Sequence, residues 1–168
     1  TGVGLLVLGA LPPVWLAPAV LVLVLLSLVM DGIDGPLARF QGRADEAGQL
    51  QDTVADHVAV AVLPAAAVQH LGSDGSAATL FATAYIAAIA LKMQGNGYGV
   101  ATPFLVRVKY LLYAVYLAEI TTHWWQGTLP ATDALTWTGA LMVGGAAYYA
   151  VMTAAILRAV SRGLRKGR

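Results

Sequence analysis

The stretch DGIDGPLARFQGRADEAGQLQDTVAD, residues 31–56, contains five of the chain's seven aspartates, and everything around it is apolar. Within it, Asp31, Asp34, Gly35, Ala38, Arg39, Gly48, Asp52 and Asp56 fall into the spacing D-x2-D-G-x2-A-R-x8-G-x3-D-x3-D. For this composition, chance alone produces that pattern at a frequency on the order of 10⁻⁷, far below that of a lone short motif. Working outward, Asp31 is the first charge in the chain, after thirty uncharged residues, and 58% of all residues are apolar against 11% charged. That balance excludes the surface of an ordinary soluble domain. A membrane span needs roughly 20 mostly apolar residues, and five such segments are expected at about 14–31, 52–71, 76–93, 103–122 and 134–157. Thr1–Leu11 is apolar but too short to cross, and the Pro12-Pro13 pair after it reads as a turn, so it resembles the second half of a helix. A cleaved signal peptide is the alternative, but the segment lacks a basic leader and another span follows at once. The expected fold is an all-α integral membrane protein: one domain over residues 1–168, a bundle of about six transmembrane helices with the first truncated.

All ten basic residues, Arg39, Arg43, Lys92, Arg107, Lys109, Arg158, Arg162, Arg165, Lys166 and Arg168, fall at alternate ends of the expected spans. By the positive-inside rule, residues 31–56, the 92–102 connection and the C-terminal end face the cytoplasm. The setting expected is a bacterial- or archaeal-type cell membrane. Trp124 and Trp125 fall where an aromatic belt on the opposite face belongs. There are no cysteines, so disulfides and thiolate ligands are both excluded. Packing must therefore use small residues, supplied by Ala65 to Ala67 and by Gly139, Gly144, Gly145, Ala146 and Ala147.

An aspartate near the membrane interior costs about 2.5–3.5 kcal/mol even on the mild insertion scale, so four of them need a partner. Asp31 and Asp34 are three apart, and Asp52 and Asp56 four apart, so each pair shares a helix face. Converging hard oxygens without His or Cys suit Mg²⁺ or Mn²⁺ rather than zinc or copper. The eight-position pattern resembles the defining motif of the CDP-alcohol phosphotransferase (CDP-alcohol phosphatidyltransferase) family, membrane enzymes that move a substituted phosphate from a CDP-alcohol to an acceptor hydroxyl and release CMP. The resemblance implies that Asp31, Asp34 and Asp52 are metal ligands, and that Asp56 is the fourth ligand and the general base. Two ions suit such phosphoryl chemistry. It also implies a homodimer acting on a CDP-alcohol donor, an acceptor alcohol and membrane lipid; no nucleic-acid partner is expected.

Under that resemblance, Gly35, Ala38 and Gly48 let the CDP group approach the helices closely, and Arg39 holds a phosphate or anchors the interface. Many relatives carry a small hydroxyl residue shortly before the middle glycine, whereas here Asp45 and Glu46 lead into Gly48. His57 points about 100° from Asp56 on a helix and reads as a packing residue; Gly95-Asn96-Gly97-Tyr98-Gly99 reads as a turn, lacking the Lys-Ser/Thr of a P-loop. Arg107 and Lys109 are candidates to bind a phosphorylated acceptor or to snorkel as anchors. Two apart, they cannot share a cavity, and Lys109 falls on a face with Tyr113 and Tyr116. CDP-diacylglycerol is the preferred donor, because acyl chains can stay in lipid while the headgroup reaches a site at the membrane boundary. The alternatives are a CDP-amino alcohol transferase acting on diacylglycerol, an aspartate-rich prenyltransferase, a catalytically silent relative and, from another class, a divalent-cation transporter. A prenyltransferase would need a second Asp-rich cluster, and a transporter leaves the glycines and Arg39 unexplained.

Overall fold

The structure is a computed structural model that describes residues 13–42, 46–128 and 136–166. Thr1–Leu11, expected as a partial helix, lies outside the described residues, as do Arg43 and Arg168. The described residues form five helices and no strand: α1 Pro13–Phe40, α2 Glu46–Leu71, α3 Gly75–Gly97, α4 Val108–Gln126 and α5 Trp137–Lys166. The stretch Gly75–Gly97 and the Trp137–Arg165 part of α5 are long and apolar enough to cross a membrane. In α1 and α2 the apolar parts are shorter, Trp15–Met30 and His57–Leu71.

None of the expected spans keeps both its bounds: α2 starts at Glu46 where 52 is expected, α3 runs to Gly97 past 93, α5 covers Trp137–Lys166 where 134–157 is expected, and the first and fourth differ for reasons visible in the backbone. The first was bounded at residue 31, yet α1 continues through Gly35 and Pro36 to Phe40. The stretch stays helical although Gly35 and Pro36 lie in it; in an apolar setting a helix satisfies consecutive peptide groups, prolines included. It stops where Gly42 takes φ 65° and Gln41 N–H bonds back to the Leu37 carbonyl at 2.9 Å, the left-handed termination that glycine permits. The fourth helix was expected from 103, but residues 101–107 are not helical and α4 starts at Val108. Pro103 lacks an N–H and disfavours helix in the residue before it. The backbone finds side chains instead: Val106 N–H donates to Tyr148 Oη (2.8 Å), Val108 N–H to Tyr149 Oη (2.8 Å), and that hydroxyl donates to the Val106 carbonyl (2.9 Å).

Helices α3 and α5 run parallel and in close contact, because glycines bring their backbones together. A Cβ on Gly145 would stand 2.6 Å from the Phe81 ring, and one on Gly95 2.7 Å from Thr102 and 2.9 Å from Val160. Gly95 is thus a packing glycine inside α3, while Gly99, at φ 68°, makes the turn. Phe81 is fully buried and packs edge-on against Tyr149, so it has no room to swing away. Gly145→Val should therefore destabilise the fold by about 1–3 kcal/mol through overpacking. Gly144, whose Cβ would meet nothing within 4 Å, should tolerate Ala with no loss; thermal unfolding in detergent checks both.

The ends of the bundle differ in chemistry. At the end where α1, α3 and α5 begin, Trp15, Trp124, Trp125 and Trp137 are all exposed. Sequence alone singled out only the middle two, because Trp15 and Trp137 come level with them only once the helices alternate in direction. The Asp74 carboxylate at this end caps α3, accepting from the Ser76 hydroxyl and from Ala77 N–H (2.7 Å). Those bonds, Ser76's first, hold its pKa below the ordinary carboxylate value. Glu119 of α4 plays the same part for α5, accepting from Trp137 N–H (2.9 Å), Thr138 N–H (2.9 Å) and the Thr138 hydroxyl (2.7 Å). Between them, Ser73 and Thr136 share a buried hydroxyl hydrogen bond at 2.7 Å, and the His70 ring meets Tyr116 Oη at 2.6 Å. Cationic Lys92, Arg158, Arg162 and Arg165 lie toward the other end.

Candidate active site

Four aspartate positions lie on two helices: Asp31 and Asp34 on α1, Asp52 and Asp56 on α2. Because α1 is continuous to Phe40, Asp31, Gly35 and Ala38 recur at helical spacing on one face, with Asp34 and Ala38 one turn apart. On α2, Gly48, Asp52 and Asp56 climb one face a turn at a time, and Gly48 is exposed. The side chains of Asp31, Asp34, Ala38, Arg39, Asp52 and Asp56 and the surroundings of Gly35 lie outside the described residues. Among the described residues no group of three or more His, Cys, Asp or Glu side chains comes together. The donor set these positions offer is all carboxylate, which fits a hard divalent cation.

Helices α1 and α2 both pack against α4. A chain of contacts ties α2 to α3, α5 and the start of α4. On α2 the His57 ring meets Tyr85 of α3 edge-on at 6.4 Å; Tyr85 meets Tyr149 of α5 at 5.0 Å; and Tyr149 Oη takes the N–H of Val108, where α4 begins. Asp56 directly precedes His57 and Lys109 directly follows Val108, so both positions adjoin this line of contacts; from the His70–Tyr116 pair, Asp56 is fourteen residues back along α2 and Lys109 seven back along α4, which sets Asp56 about 10 Å nearer the Arg158 end. Along α5, Tyr149 lies about 14 Å inward of Arg158, at about 1.5 Å per residue. His57 is the aromatic packing residue its spacing suggested.

Arg107 and Lys109 part company. Lys109 is 3% exposed, on the same buried face of α4 as Leu112, Tyr113 and Tyr116, with Nζ 4.9 Å from the centre of the Tyr110 ring. Arg107 is exposed, and its Nη1 donates to Tyr110 Oη at 3.4 Å. Lys92 clamps the connection above them, donating to the Pro103 carbonyl (2.9 Å) and to Thr102 Oγ1 (3.4 Å), whose hydroxyl in turn donates to Asn96 Oδ1 (3.2 Å).

The residues that the sequence did not single out are Tyr148 and Tyr149, which fix residues 101–108 and so set the height of Lys109. A signal was present: two adjacent phenols inside an apolar span each need a hydrogen-bond partner. Against known proteins, the family model described as CDP-alcohol phosphatidyltransferase matches residues 3–161. No curated protein and no solved structure shows a significant match.

Proposed function

Because the chain belongs to the CDP-alcohol phosphatidyltransferase family, and is therefore a transferase of substituted phosphate groups that takes a CDP-alcohol as donor, we propose that it moves a phosphatidyl group from CDP-diacylglycerol to an acceptor alcohol in phospholipid synthesis. The observation that carries this reading is the complete eight-position motif on two helices that share α4 as a neighbour, with Lys109 buried on α4. A site sunk below the Arg158 level, in a bundle with apolar flanks, lets the donor keep its acyl chains in lipid. Family membership replaces the transporter and prenyltransferase readings. The protein is read as an integral membrane homodimer with its site toward the cytoplasm, where CTP-derived donors are made.

In this reading Asp31, Asp34 and Asp52, with Asp56, hold two Mg²⁺ or Mn²⁺ ions. When bound, these neutralise the CDP pyrophosphate and the charge that develops on the leaving CMP. Gly35, Ala38 and Gly48 leave room on the two helix faces for the nucleotide diphosphate. Arg39 adds a charge-assisted hydrogen bond to a phosphate oxygen. Asp56 accepts the acceptor hydroxyl's proton as that oxygen bonds to the β-phosphorus and the bond from phosphorus to the CMP oxygen breaks, in line. No nucleophilic side chain enters the scheme.

Lys109 is assigned to a phosphate carried by the acceptor, as in glycerol 3-phosphate or an inositol phosphate; exposed Arg107 is assigned to the interface. The test is CMP release from purified protein given CDP-diacylglycerol, Mg²⁺ and a panel of alcohols. A charged hydrogen bond is worth about 1.5–3 kcal/mol, so Lys109→Gln should raise the acceptor KM about tenfold or more while the donor KM holds. Arg107→Gln should change neither. Preference for an unphosphorylated alcohol such as serine or inositol would return Lys109 to a structural role. Turnover of a CDP-amino alcohol with diacylglycerol, and none of CDP-diacylglycerol, would replace the donor assignment with the second reading the motif allows.

A further inference from the structure

The exposed face of α5 changes character along its length. Val143, Gly144, Ala147, Ala150, Val151, Ala154 and Leu157 are exposed in sequence, and then Arg158, Ser161, Arg162 and Arg165 continue the same face. Leu157 and these four line a surface groove of about 590 Å³. Among the described residues the hydrogen bond made by these guanidiniums stays within the helix, from Arg162 Nε to the Arg158 carbonyl at 3.3 Å. At about 1.5 Å per residue the rise from exposed Trp137 to Arg158 is about 32 Å, against a hydrocarbon layer of about 30 Å. The change from apolar to cationic thus falls one membrane thickness from a tryptophan.

We infer that the groove of Leu157, Arg158, Ser161, Arg162 and Arg165 is a binding site for an anionic phospholipid of the surrounding bilayer, separate from the transfer site. Its phosphate lies among the three guanidiniums and the Ser161 hydroxyl, and its acyl chain lies along Leu157 and the alanine-valine face below. This inference rests on the membrane reading of the bundle. Three arginines at successive turns match the charge and fork geometry of a phosphodiester, and Leu157 at the foot of the groove gives the first methylenes an apolar contact. A free phosphate would use only the upper half. The arginine stripe is on the side of α5 away from the buried residues Ile156 and Val160, so the lipid bound there is a resident of the bilayer and not the reacting donor.

The test reconstitutes the protein in phosphatidylcholine vesicles and measures, by electron paramagnetic resonance, the share of spin-labelled phosphatidylglycerol and of spin-labelled phosphatidylcholine held at its surface. The wild type should favour phosphatidylglycerol about fivefold or more, and high salt should weaken the preference. The triple variant R158Q/R162Q/R165Q should bring it close to parity, and R158K/R162K/R165K should retain most of it. Equal association in the wild type, or an undiminished preference in the glutamine variant, overturns the site. Loss of the preference in millimolar inorganic phosphate would assign the groove to free phosphate instead. Release of the protein by alkaline carbonate would overturn the membrane reading itself, whereas retained protein without lipid preference overturns this inference alone.

Discussion

Replacing Asp31, Asp34 or Asp52 with Asn should lower CMP release by about 10²-fold or more, the scale on which losing one electrostatic stabiliser of a developing charge acts. Each substitution keeps size and removes one negative oxygen, so a deficit reports lost charge rather than lost packing. Asp31 and Asp34 are a turn apart on α1 and Asp52 lies on α2, so in the proposed scheme both helices contribute ligands and no single replacement is covered by its neighbour. Excess chelator should abolish turnover in the wild type, and restored Mg²⁺ or Mn²⁺ should return it. Full activity of Asp34→Asn, or of the wild type in chelator, would remove the metal from the scheme.

The second large effect separates chemistry from binding. Asp56→Asn should reduce kcat by about 10²–10⁴, the usual contribution of a positioned base, while affinity for the CDP-lipid is largely kept. Single-turnover measurements with saturating donor distinguish the two. A variant that loses donor affinity yet turns over normally once bound would make Asp56 a metal ligand without a role in proton transfer.

The parts of this protein legible in its sequence are those governed by one local rule each. Helix existence followed from apolar run length, the motif from its spacing, and the separation of Lys109 from Arg107 from the two-residue offset between them. What escaped depends on partners distant in sequence. The late start of α4 requires Tyr148 and Tyr149, some forty residues on, to take over the hydrogen bonds of residues 106–108. The extension of α1 past Asp31 runs through Gly35 and Pro36, two residues that locally argue for a helix end. Lys109 reads as an interfacial cation because span ends normally carry one; its burial appears only when α4 packs that face, with Leu112, Tyr113 and Tyr116, into the bundle. Glu119 attracted no notice in sequence, since an isolated glutamate near the end of a span has no pattern.

That glutamate bears on how the chain is made. Its carboxylate is satisfied by the first residues of α5, Trp137 and Thr138, which emerge from the ribosome after α4 is complete. Until they arrive, the Glu119 carboxylate lacks these three donors, and the leading N–H groups of α5 lack their cap. Glu119 thus couples the two helices: the first turn of α5 is capped only when α4 lies beside it.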